Sequence, residues 1–180
     1  MPNKISVLAS VLLLLSCSQN APDPNGSHDS SGVRVIENVP FVRQKDSFCG
    51  PAAMASVMKF HGQDVSQDAI AEEVYTPKLR GALISDMENF ANEMGYRAET
   101  RTGDLNTLIS VIDEGVPAIL IVDLGKWVVT VPHYYVVYGY DKSRKNFIMH
   151  TGFKSDQKID FSELDREWRK MDRLMLLLRK

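Results

Sequence analysis

Cysteine is nearly missing from this chain: two in 180 residues, Cys17 and Cys49, which excludes a disulfide framework. There is no surplus of charge either. Lys and Arg number 21 against 23 Asp and Glu, and a net charge of -2 excludes nucleic acid as a partner held through a basic surface. No cluster of His, Cys, Asp or Glu has metal-ligand spacing, and no glycine-rich loop follows a strand pattern to cradle phosphates, so no cofactor is expected. The longest mostly apolar run, residues 5–15, falls short of the roughly 20 residues that a membrane-spanning helix needs. There is no internal repeat. What remains, 44% apolar residues in a chain of this length, predicts one ordinary globular domain.

The apolar run does not belong to that domain. Lys4 precedes it and Leu14-Leu15-Ser16-Cys17 closes it, a pattern that resembles a bacterial lipoprotein signal. The resemblance implies cleavage before Cys17, a lipid on that cysteine and, with Ser18 rather than an aspartate following, transport to the periplasmic face of an outer membrane. An ordinary cleaved secretory signal is the alternative. With Cys17 committed to lipid, Cys49 has no partner in an exported, oxidising compartment; it is either buried and inert or kept for chemistry. Residues 18–32 are Ser, Asn, Pro, Asp and Gly with hardly any apolar content, so they read as a flexible tether. The domain is then residues 33–180.

Along the domain, Val39-Pro40-Phe41-Val42 reads as a short extended segment. Helical spacing predicts a helix over 49–61 stopped by Gly62, a second through Val74 capped by Ser66, a third over 83–94 and a fourth over 105–114 capped by Asp104. Between the second and third, residues 75–82 read as a polar loop. The period then changes. Residues 117–122, 133–140 and 146–150 read as strands, the last two as a hairpin, followed by a helix over 162–170 capped by Ser162 and a final strand over 173–178. Helices first and an antiparallel sheet afterwards predict an α+β domain of two packed layers.

The chemistry-bearing stretch is Gln44-Lys45-Asp46-Ser47-Phe48-Cys49-Gly50-Pro51-Ala52-Ala53. It puts Cys49 in the first turn of a helix, where backbone N–H groups and the helix dipole favour thiolate. A thiol nucleophile needs an imidazole as base. Of the four histidines, His28 lies in the tether and His61 sits roughly 18 Å up the same helix. His133 opens a strand after a loop and is the candidate base. His150, closing the neighbouring strand, is the candidate for orienting it.

The order Gln, then Cys-Gly-Pro-Ala opening a helix, then His133-Tyr134-Tyr135-Val136-Val137 with Gly139-Tyr140-Asp141 behind it, resembles the double-glycine (bacteriocin) leader peptidase family of papain-like cysteine peptidases, in a stand-alone lipoprotein-type branch. The similarity runs over residues 39–178. It implies a papain-like fold, with an N-terminal helical part packed on an antiparallel sheet. It implies that Cys49 attacks a peptide carbonyl, His133 shuttles the proton, and Gln44 with the Cys49 N–H forms the oxyanion hole. One departure stands out: where the family has an orienting aspartate, this chain reads Phe147-Ile148-Met149-His150-Thr151-Gly152. Three outcomes are open: a dyad with His150 or Thr151 as a weak orienter, a substitute carboxylate such as Asp123 or Asp141, or a degraded site. The expected function is hydrolysis of peptide or protein substrates outside the cytoplasm. A non-catalytic peptide-binding lipoprotein and a related acyl-transfer enzyme, such as a cell-wall amidase or transpeptidase, are the rivals. Residues 75–81 and 126–132 are expected to rim the cleft.

Overall fold

The computed structural model describes residues 32–180; the signal and tether expected over residues 1–31, with Cys17, lie outside them. In chain order the elements are β1 (Val33–Val35), α1 (Cys49–Phe60), α2 (Gln67–Val74), β2 (Tyr75–Thr76), β3 (Gly81–Ala82), α3 (Ile84–Glu93), β4 (Arg97–Thr102), α4 (Leu105–Asp113), β5 (Ala118–Asp123), β6 (Pro132–Asp141), β7 (Asn146–His150), β8 (Gln157–Asp160), α5 (Phe161–Arg169) and β9 (Leu174–Arg179). The main sheet runs β4-β9-β5-β6-β7-β8, every pairing antiparallel. β1 pairs with the last three residues of β6, past the point where β5 ends.

The α+β class is as expected, but the layers number three rather than two. Alternate residues of the central strands point to opposite faces. Ile119, Ile121, Tyr134, Val136, Leu176 and Leu178 pack under α1, α2 and α3. Leu120, Val122, Tyr135, Val137, Met175 and Leu177 pack under α4 and α5. All six residues of β5 are buried, and that is why its sequence is a continuous apolar run instead of an alternation.

Helix starts follow side-chain chemistry. Ser66 Oγ accepts the Ala69 N–H and caps α2; Asp104 accepts the Thr107 N–H and caps α4. The expected Ser162 cap is corrected to Asp160, whose carboxylate accepts the Ser162 N–H, so that the cap of α5 stands two residues earlier. Residues 39–42 form no strand, and two strands carried no readable pattern. β4 is polar along nearly its whole length, with Ala98 its one buried residue, because it is an edge strand. β8 is the opposite edge and buries only Ile159. Residues 75–82, expected as a loop, close as a two-residue ladder between β2 and β3.

Trp168 anchors the α5 layer. It is fully buried, and its Nε1–H donates to the Leu174 carbonyl at 2.7 Å, tying α5 to β9. Trp168→Ala is expected to lower unfolding free energy by about 3–5 kcal/mol, the cost of a large buried cavity, measured as the shift in urea midpoint at constant slope.

Candidate active site

Small residues set the site. The first turn of α1 is Cys49-Gly50-Pro51-Ala52, and Gly50 through Ala53 are all buried. A methyl group placed on Gly50 would stand 3.0 Å from Met87 Sδ, 3.2 Å from Ala82 Cβ and 3.3 Å from the Tyr134 ring, so glycine is what lets α1 settle this close to β6. No side chain caps α1 at Phe48. Its first amides, at Cys49 and Gly50, are therefore not taken by a capping side chain, as a helix N-terminus leaves them unless a cap intervenes.

The consequence is where Cys49 comes to rest. Its sulfur is within hydrogen-bonding reach of the backbone amides of Tyr134, Gly50 and Cys49 itself, and Tyr134 is the neighbour of His133. His133, the second residue of β6, is 7% exposed. Its Nε2 lies 2.7 Å from the Thr151 carbonyl. A carbonyl can only accept, so the proton resides on Nε2 and Nδ1 is the basic atom. The ring is braced by Tyr135 edge-on at 5.4 Å and by Phe153 stacked at 5.8 Å, 10° from parallel.

Gln44 enters from the loop before α1. Its backbone N–H donates to the Gly152 carbonyl at 2.8 Å. Its buried Oε1 has no hydrogen-bond partner and occupies the space where a side chain at position 152 would begin. Gly152, at φ 79°, is required both for its backbone and for that contact. Beside Cys49 lies a cavity of about 10 Å³, room for one water molecule, bordered by Cys49, Ser56, Tyr134 and His150.

The model of the Peptidase_C39 like family matches residues 36–175. The chain belongs to this family. Among solved structures it is similar to the peptidase domain of Streptococcus ComA, a bi-functional ABC transporter involved in a quorum sensing pathway, at 27% identity and TM-score 0.67, covering 79% of this chain and all of that one. A putative C39-like peptidase from Bacillus anthracis aligns at 18% identity and TM-score 0.66, covering 82% and 98%. A double glycine motif protease from an AMS/PCAT transporter, in complex with its leader peptide, aligns at 18% identity and TM-score 0.64, covering 82% and 99%. No curated protein matches. The α+β architecture described above is the papain-like fold of these C39 peptidase domains.

Of the orienters left open, it is Thr151 that meets the imidazole, through its main-chain carbonyl and not its side chain. His150 is not its partner: its Nε2 lies 3.0 Å from the Val39 carbonyl and its Nδ1 accepts the Asp156 N–H at 3.4 Å, so both ring nitrogens are engaged elsewhere. Nor does a carboxylate among the described residues take that place. Asp123 accepts the Gly125 and Val131 amides at the base of the loop before β6. Asp141 binds Ser143, the Arg144 amide and the Arg144 guanidinium in the β6–β7 turn, at the other end of the strand. The orienting group is the main chain of Thr151. No residue type announces a backbone carbonyl; the one trace of it in the sequence is the Thr151-Gly152 pair, a turn signal closing a strand.

Electrostatics also differ from a stabilised thiolate. Burial pushes the Cys49 thiol above its ordinary value, and the Tyr134, Gly50 and Cys49 amides recover only part of that. Burial likewise lowers the His133 pKa, with the Thr151 contact working against it. His61 is lowered too, chiefly by burial. In each case the charged form is the one that loses its water.

These shifts imply a stability optimum. Below about pH 6.5 the unfolded chain gains protons on His61 and His133 that the folded chain resists, so stability falls as pH drops. Above about pH 8.5 the unfolded chain loses the Cys49 proton that the folded chain retains, so stability falls as pH rises. Urea midpoints across pH should therefore peak near neutrality. His133→Gln should flatten the acid limb and Cys49→Ser the alkaline one.

Proposed function

We propose that this chain is an exported, membrane-anchored cysteine peptidase that hydrolyses peptide bonds of peptide or protein substrates outside the cytoplasm through Cys49 and His133. The observation that carries the reading is the Nε2–Thr151 contact. It makes Nδ1 the basic atom of an imidazole on the strand whose next residue, Tyr134, meets the Cys49 thiol, and this supports His133 as the base.

With both groups buried, a charge on either one alone is costly, whereas passing the proton from Sγ to Nδ1 creates two charges that stabilise each other. Attack on the substrate carbonyl and this proton transfer go together. The acyl-enzyme forms as His133 returns the proton to the leaving amine, and water, deprotonated by His133, releases the acid. The oxyanion would be held by the Cys49 N–H and the Gln44 side-chain amide. Gln44 Nε2 makes no hydrogen bond among the described residues, and the unpartnered Oε1 behind it, a cost of about 1–3 kcal/mol, supports its orientation for ligand and not for the fold. A neutral carbonyl behind His133 stabilises imidazolium less than a carboxylate does, which makes for a slow hydrolase. The anchor rests on the Leu14-Leu15-Ser16-Cys17 signal alone, and its outer-membrane location on Ser18 after it.

The test is cleavage of a mixed peptide library. Cys49→Ala should abolish it, His133→Ala should lower kcat about 10²–10⁴-fold, and Gln44→Ala about 10²–10³-fold with KM little changed. Activity that survives Cys49→Ala would sink the reading.

A further inference from the structure

The most exposed apolar surface of the molecule stands beside His133. Ten large apolar residues are exposed among the described residues, and five of them lie between Leu124 and Val131. Trp127 and Val128 are bare, at 101% and 97% exposure. The exposure is not slackness of the loop. One carboxylate oxygen of Asp123 accepts both the Gly125 and Val131 N–H groups at 2.8 Å, the Leu124 N–H donates to the Val131 carbonyl at 3.0 Å, and Lys170 Nζ donates to the Gly125 carbonyl at 2.8 Å from α5. The turn is so tight that any side chain at Gly125 would collide with the Val129 carbonyl. Trp127 is held at φ 60°, a strained conformation for a bulky residue that persists only where its surroundings impose it. The structure thus spends backbone strain on holding an indole in water.

Because Asp123 pairs with Pro132 and Val122 with His133, this hairpin tip is an outgrowth of the strands that carry the imidazole. Phe153, half-exposed, is stacked on His133 at the foot of this hairpin's second strand. Leu79 and Leu83, on either side of β3, are exposed as well, and the Ala82 carbonyl of β3 accepts the Tyr134 hydroxyl. A lipid surface is the less fitting occupant, because the chain leading back to residues 1–31 departs beside Asp141, at the far end of β6 from this tip.

We propose that Trp127, Val128 and Val129 form a fixed arm that grips an apolar flank of the polypeptide substrate and so determines which peptides reach Cys49. The proposal deepens the peptidase reading and rests on it. Val128 lies five residues from His133, so the arm selects within about five residues of the scissile bond, each spanning about 3.3 Å when extended.

The arm carries its own reporter. Of the two tryptophans, Trp168 is fully buried, so a change in emission on ligand binding belongs to Trp127. The full chain bearing Cys49→Ala would be titrated with a ten-residue Leu/Val peptide capped by lysines, with a Ser/Gln peptide of the same length, and with phosphatidylglycerol/phosphatidylcholine vesicles. A saturable blue shift with the apolar peptide alone is expected. Adding Val128→Ser and Val129→Ser should weaken binding about tenfold or more without moving Tm, since both side chains are exposed. No shift with either peptide, or a shift with vesicles only, overturns the arm. The two readings separate because wild-type cleavage is scored independently. If Trp127 responds to the apolar peptide but the wild type cuts nothing, the peptidase reading fails while the arm stands as a binding surface. Equal cleavage of both peptides with a silent Trp127 removes the arm alone.

Discussion

The close docking of α1 on β6 is the constraint on which the rest depends. A helix whose first turn is Cys-Gly-Pro-Ala has almost no side-chain bulk there, so its N-terminus approaches the sheet until Gly50 is within a methyl group of Met87, Ala82 and the Tyr134 ring. Closeness has two effects at once. It brings the Cys49 sulfur against the β6 backbone at Tyr134, and it removes water from Cys49. Packing and reactivity are the same event in this region: a larger residue at position 50 would open the core under α1 and move the nucleophile away from the imidazole's strand together.

Desolvation then decides the electrostatic character of the site. An orienting carboxylate would hold His133 protonated and draw the proton from Cys49. Here the partner is the Thr151 carbonyl, which fixes the ring's tautomer and direction without adding a charge. The positions that could have supplied a carboxylate are put to other uses: Asp123 organises the hairpin before β6, and Asp156 accepts the Tyr138 hydroxyl at 2.6 Å while its amide donates to His150. His150 holds the Val39 segment against the end of β7 through the Val39 carbonyl, next to the turn that presents Thr151. Its connection to His133 is therefore through the main chain and not through its ring.

How much of this was legible follows from where the information sits. Helix starts set by local side-chain hydrogen bonds were readable at Ser66 and Asp104, and the buried central strands announced themselves as unbroken apolar runs. Those same runs implied helices on both sheet faces, an inference that a two-layer architecture leaves out. The edge strands β4 and β8 were illegible, because an edge that faces water has no apolar alternation to show. At the site, Cys49 and His133 were singled out by residue type and spacing, and Gln44 by the resemblance to the leader peptidases. The Thr151 carbonyl and the Tyr134 amide were not, since every residue has both groups and only the tertiary fold selects which ones matter.

The orientation of β6 links the site to the chain's attachment. His133 lies at the start of this ten-residue strand and β1 joins at its end, so about 30 Å of sheet separates the imidazole from the point where residue 32 departs. If the chain is anchored through Cys17, the fifteen residues of 18–32 intervene, a span of up to about 50 Å when extended. On the proposed reading such a tether would hold the domain by the end of β6 opposite His133 and the Trp127 hairpin. A peptidase held this way meets polypeptides arriving from solution, and a rigid apolar arm is then the feature that distinguishes an unfolded, apolar stretch from the polar surface of a folded protein.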